Sequence, residues 1–157
     1  NKGRTMRKRV CGKSWVHIDT IIIPGEPIAK GRPRVTSTHT YTPKRTKDAQ
    51  KRVSKCIEQQ CNDNILWPFE MACPIYIEAS FYHKRPKRLC RKKDPVSTIP
   101  KETKPDLDNL VKLLKDALND CRYWADDKHN TTILADKMYV AKDGEPRTEL
   151  HIYIQED

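Results

Sequence analysis

The sequence predicts a single α/β domain of the α+β kind: a small mixed β-sheet of about four strands covered by two helices, in the order β-α-β-α-β-β. Three observations lead there. Four segments run apolar or alternate with the period of a strand, and two others repeat apolar residues at helical spacing. A chain of 157 residues is also one domain's length, enough to bury roughly two-thirds of its unfolded surface around one core.

Residues 15–23 (WVHIDTIII) are β-branched and apolar, and read as a strand that stops at Pro24-Gly25. The loop IPGEPIAKGRPRV follows, punctuated by three prolines. Thr42-Pro43 then reads as an N-cap and first helical position. Ala49, Val53, Cys56, Ile57 and Cys61 fall at helical spacing, which predicts a helix over about 43–61. Residues 74–83 alternate, with Ile75, Ile77, Ala79 and Phe81 on one side, as a half-buried strand would. A basic, proline-punctuated, mobile loop is expected over 84–104. In KPDLDNLVKLLKDALND, Leu107, Leu110, Val111, Leu114, Ala117 and Leu118 form an apolar stripe for packing on a sheet. Residues 132–141 and 147–155 read as two more strands, and Asp143-Gly144 between them suggests a terminal hairpin.

Lys and Arg number 31 against 21 Asp and Glu, a formal charge of +10 with a pI near 9.4. Such an excess repels itself in a compact chain and points to a polyanionic partner, nucleic acid first. Residues 1–13 hold six basic residues and no acid, and are expected to be a flexible arm ahead of a domain over 14–157. No apolar run approaches the roughly 20 residues of a membrane helix, and no apolar core follows the basic start as in a signal peptide. Cysteines 11, 56, 61, 73, 90 and 121 include no CxxC pair, and no histidine completes a zinc pattern. Reduced thiols in a cytoplasmic protein are the expectation.

Carboxylates are the candidates for chemistry. Asp106 and Asp108 flank Leu107 where the second helix should begin, and Asp126-Asp127 follow Trp124. One aspartate ahead of a helix is ordinarily a cap. Four acids in a basic protein leave a second reading open beside the cap: a hard cation such as Mg²⁺ between protein and phosphate. The cluster forms only if the chain turns back after the helix. Lys112, one turn after Asp108, would either neutralise charge in a transition state or form a helix-surface pair.

KPDLDNLVKLLKDALND…YWADD is similar to the signature of the RusA family of Holliday-junction resolvases: Asp-x-Asp-Asn opening a Lys-bearing helix, then an aromatic and a paired Asp. IPGEPIAKGRPRV resembles the Gly-x-Pro…Lys-x-Arg-Pro-Arg segment of the phage-type members. The element order extends the likeness to about residues 18–155. The resemblance implies a homodimeric endonuclease, Mg²⁺-dependent with Mn²⁺ as a substitute, that cuts four-way DNA in pairs and takes no small-molecule cofactor. It marks Asp106, Asp108 and Asp127 as metal-binding catalytic residues and Lys112 as an essential lysine. Asp126 and Asn109 would be accessory, and Lys30, Arg32 and Arg34 would contact phosphates unless they form only a solvated turn. A bacterial or phage-derived cytoplasmic enzyme is expected. The basic arm and the 84–104 loop depart from the family pattern. A related nuclease of flaps or forks and a non-catalytic nucleic-acid-binding protein are the alternatives.

Overall fold

The computed structural model describes residues 4–156. Ten elements follow in chain order: β1 (Arg7–Val10), β2 (Lys13–Pro24), β3 (Arg34–Val35), β4 (Thr40–Tyr41), α1 (Lys44–Cys61), β5 (Ile75–His83), β6 (Ile99–Pro100), α2 (Leu107–Asp120), β7 (Asn130–Tyr139) and β8 (Arg147–Gln155). Six strands form the main sheet in the order β1-β2-β8-β5-β7-β6, and β3 pairs with β4 apart from it. The fold is thus mixed α and β with two helices, as expected. The expected count of about four strands and the expected order are corrected. The four extra strands escape periodicity because β3, β4 and β6 are two residues long and β1 reads RKRV, with no apolar alternation. β1 lies within the basic arm and is turned onto β2 by Cys11 and Gly12, both at positive φ; residues 1–3 of that arm lie outside the described residues.

The terminal hairpin is corrected too. β7 and β8 do not pair; they flank β5, β7 parallel to it and β8 antiparallel. β5-α2-β7 is therefore a βαβ crossover, and β5 is a central strand. Both of its faces are covered, which explains why Tyr76 is as buried as Ile75 and Ile77. The main core lies between one sheet face and the helices. It joins Ile21, Ile77 and Leu150 to Val53 and Ile57 of α1 and to Leu110, Leu114 and Leu118 of α2. A smaller cluster of Trp15, Tyr76 and Tyr153 occupies the opposite face. β2 serves both because its register with β8 skips Ile18, so Trp15 and Ile21, both odd-numbered, lie on opposite faces.

The 84–104 segment is organised around one buried cation. Arg85 is 6% exposed, and its guanidinium donates to the carbonyls of Leu89, Pro95 and Ser97. The segment ends as β6, which pairs only with Tyr139 and Met138 of β7.

The two sheet edges differ. β1 offers solvent three basic side chains in four residues, a charged edge of the kind that discourages strand addition. At the other edge β6 and Lys101 cover β7 only from Lys137 to Tyr139, and no strand among the described residues pairs with the rest.

Candidate metal and DNA site

α2 begins where the sequence places its cap. Asp106 is extended (φ −71°, ψ 142°) and its side chain bonds no helix N–H, so the carboxylate is not consumed in capping. Asp108 stands in the first turn of α2, with Lys112 one turn further; all three are exposed. None of the ion pairs among the described residues uses Asp106, Asp108 or Asp127. The mouth of α2 is fixed from β7: Lys137 Nζ donates to the carbonyls of Thr103 and Pro105, 2.7 Å each. Asn109 helps through its backbone, its carbonyl accepting the Lys30 N–H at 2.9 Å.

A groove of about 970 Å³ opens beside Asp106. Its walls include Arg32, Arg34, Arg45, Lys101 and Lys104, so its field suits a polyanion. The 30–34 segment meets the start of α1 at Gly31. The Gly31 N–H donates to the buried Thr46 hydroxyl at 2.9 Å, and a Cβ on Gly31 would sit at that same distance from it. Arg32 and Arg34 are exposed, whereas the Lys30 ammonium is held in an ion pair with Asp116 of α2. His83, at the end of β5, also lines the groove. It is 2% exposed, and neither ring nitrogen has a hydrogen-bond partner. Burial chiefly pushes its pKa down, with Lys101 adding to the effect. Glu26 and the nearby carbonyls of Met138 and Phe81 oppose it, and neither carbonyl reaches hydrogen-bond geometry.

Asp126 and Asp127 lie elsewhere. Asp126 caps a short 3-10 turn over Asp127–His129, accepting the Lys128 N–H at 2.8 Å, and that bond chiefly holds its carboxyl below the usual range. The turn packs on α2 and leads into Asn130. The β5–β7 register sets Asn130 beside Ile75 and Tyr139 beside His83, so Asp127 belongs to the end of this strand pair opposite the groove. Two contacts anchor the preceding segment there: the Tyr123 hydroxyl donates to Asp19 at 3.0 Å, and the Ala125 N–H to Met71 O at 2.8 Å. Among the described residues no group of three or more His, Cys, Asp or Glu side chains is arranged to hold a metal ion. One chain therefore sets Asp106 and Asp108 two residues apart at the mouth of α2, and leaves Asp127 at the other end of the β5–β7 pair.

The model of the endodeoxyribonuclease RusA family matches residues 24–153. The chain belongs to the RusA family. It is also 31% identical over 137 residues to the uncharacterised protein YqaN of Bacillus subtilis (strain 168), covering 82% of this chain and 90% of that protein. Family membership makes the chain an endodeoxyribonuclease by descent, and both motifs that suggested it fall within the matched span. No helix among the described residues is long and apolar enough to cross a membrane. Sequence reasoning missed Arg45, Lys101, Lys104, Lys137 and His83, which converge only through the fold. Lys101 and Lys104 lie in a segment so rich in basic residues that no signal singles them out; His83 at the end of an apolar alternation was a weak one.

Proposed function

We propose that this RusA-family chain is a Mg²⁺-dependent endonuclease that resolves four-way DNA junctions by paired cuts, as a cytoplasmic homodimer. The observation that supports this best is the exposed, uncapped Asp106 with Asp108 at the mouth of α2, beside a basic groove. Carboxylate oxygens are the hard donors Mg²⁺ takes. The ion ordinarily uses one or two carboxylates and fills its remaining positions with phosphate and water oxygens, so this pair fits it without a closed cage. Mg²⁺, or Mn²⁺ in its place, would supply Lewis-acid polarisation of the scissile phosphodiester.

The protein's part is positioning and charge. Arg32, Arg34, Arg45 and Lys104 would hold the DNA backbone across the groove, and Lys112 would offset charge that develops on the phosphate. Asp127 is the third catalytic carboxylate of this reading, with Asp126 and Asn109 as accessory groups and Lys30 as a further, partly neutralised, phosphate contact.

A labelled synthetic four-way junction, incubated with and without Mg²⁺, tests the proposal. Wild type should cut only with metal, while Asp106→Asn, Asp108→Asn and Asp127→Asn should each abolish cutting. Junction binding should persist or strengthen in these variants, since less negative charge then faces the phosphates. Variants that bind poorly and melt early would mark the aspartates as structural. Faster cutting of flaps or forks than of junctions would move the enzyme to a different branched substrate.

A further inference from the structure

The chain leaves the groove wall at His83 and returns to it at Lys101, and the lobe between them holds its densest run of basic residues, seven in the ten positions 84–93. Lys84, Lys87, Arg88, Lys92 and Lys93 are exposed, and none of the ion pairs among the described residues uses them. Asp94, the one acid between 84 and 101, is already taken. It accepts the Arg91 N–H at 2.8 Å and Arg91 Nε at 3.3 Å.

Five like charges repel one another, and a free loop would carry them apart. Three ties oppose that here. Arg85 is buried with no carboxylate partner, so three backbone carbonyls alone satisfy its guanidinium, a costly way to close a loop. Lys142, beyond β7, donates its N–H to Val96 O at 3.0 Å and its ammonium to Arg91 O at 2.6 Å. At the groove, the Lys84 N–H donates at 2.8 Å to the carboxylate of Glu26, itself a lining residue. The fold therefore holds unpaired cations together where self-repulsion would part them. A polyanion is the partner that such an arrangement suits.

We propose that the 84–101 lobe is a second DNA contact, which grips the phosphates of a duplex arm beyond the groove, and that Arg85 is the residue that positions its cations. The proposal rests on the reading of the groove as the site of a DNA nuclease, and extends it to the part of the substrate that lies outside the cut.

A duplex arm fits the lobe better than a single strand does. Single strands are ordinarily held by stacking their bases on aromatic rings, and residues 84–101 contain none. Exposed Lys and Arg contact phosphates instead, which fixes position without reading sequence. A duplex seated in the groove extends past its walls, and both ends of the lobe are rooted there. Cations held in place beforehand also spare the complex the entropy of ordering a loop.

Anisotropy titrations in EDTA, where nothing is cut, test this with junctions whose arms run from about two turns of duplex (about 20 base pairs) to about half a turn. Wild type should bind the long-arm junction at least 10-fold more tightly than the short-arm one. The combined Lys87→Gln, Arg88→Gln, Lys92→Gln and Lys93→Gln chain changes exposed side chains only. It should lose most of that advantage, and its plot of log affinity against log salt should be shallower by about 3–4, close to one phosphate contact per cation removed. Arg85→Met keeps all five free cations but unties the loop. It should bind long arms about 3–10-fold more weakly and short arms within twofold of wild type, whereas general unfolding would weaken both alike. A combined variant with the wild-type salt slope and arm dependence would overturn the proposal. So would an Arg85→Met chain weakened equally at both arm lengths, or a single strand that competes for the protein as well as duplex does. A wild type that shows the arm dependence but cuts no DNA with Mg²⁺ would keep the lobe's role and sink the nuclease reading. An active wild type indifferent to arm length would do the reverse.

Discussion

Lys137→Met would separate the positioning of Asp106 from its chemistry. The substitution keeps the aliphatic stem and removes an ammonium that donates to Thr103 O and Pro105 O at 2.7 Å each. A hydrogen bond to a charged group contributes about 1.5–3 kcal/mol, and the half-buried lysine and the freed carbonyls regain much of that from water. A net loss of about 1–2 kcal/mol is expected, which with a urea slope of about 2 kcal/mol/M moves the midpoint down by about 0.5–1 M. Pro105 precedes Asp106 directly, so loosening it should slow single-turnover junction cleavage about 10–100-fold. Junction affinity should hold, because Lys137 is not among the groove's lining residues. Urea melts and a single-turnover time course on the same preparation measure both effects. A cleavage rate within twofold of wild type, alongside the lost stability, would refute the positioning role and leave Lys137 as a structural tie.

Two further outcomes follow from buried groups. His83→Leu removes a buried imidazole with two unpartnered nitrogens, so stability should rise by about 1 kcal/mol and the melting temperature by about 3 °C. Since the folded pKa lies below the unfolded 6.5, wild type loses stability as pH falls below that value, and the variant's advantage should widen there; a variant that melts earlier at pH 7 would show that the imidazole has a partner. All six cysteines are free, and burial pushes the thiols of Cys61 and Cys121 up to about 12 and about 11. At pH 8 their thiolate fractions are about 10⁻⁴ and 10⁻³, so a thiol reagent should label exposed Cys11 and Cys90 quickly and these two only on unfolding. Six equally fast thiols would contradict the burial.

Much of the fold was legible because its signals are local. The α2 stripe, the β5 and β8 alternations and the Pro-Gly stop after β2 each depend on residues within one segment. The hairpin reading failed because Asp143-Gly144 reports only that the chain turns, while pairing depends on which strand fills the space beside β5. Strict alternation likewise misplaces Trp15 relative to Ile21, since the skipped Ile18 shows only against β8. The site divides along the same line. Asp106 as the first residue of a helix mouth follows from Pro105 and the apolar stripe beyond it. Where Asp127 lies depends on a β5–β7 register between residues about fifty-five apart in sequence, which local pattern does not encode. The groove drew on four separate segments, so only its 30–34 wall and the Asp106–Asn109 mouth of α2 were legible.

The strand that comes last in chain order lies in the middle of the sheet. β8 is flanked by β2 and β5, with Ile21 against Leu150 and Ile77 against Ile152. During synthesis β1-β2 can form one ribbon, and β5-α2-β7 another unit, while each still lacks the neighbour that joins them. The sheet cannot close until residues 147–155 have left the ribosome, and such late, long-range pairing is slow and exposes apolar edges meanwhile. A message that stops before Arg147 should therefore yield a chain whose sheet is split in two, held only by the packing of α1 and open to proteolysis, even though every candidate catalytic residue has already been translated.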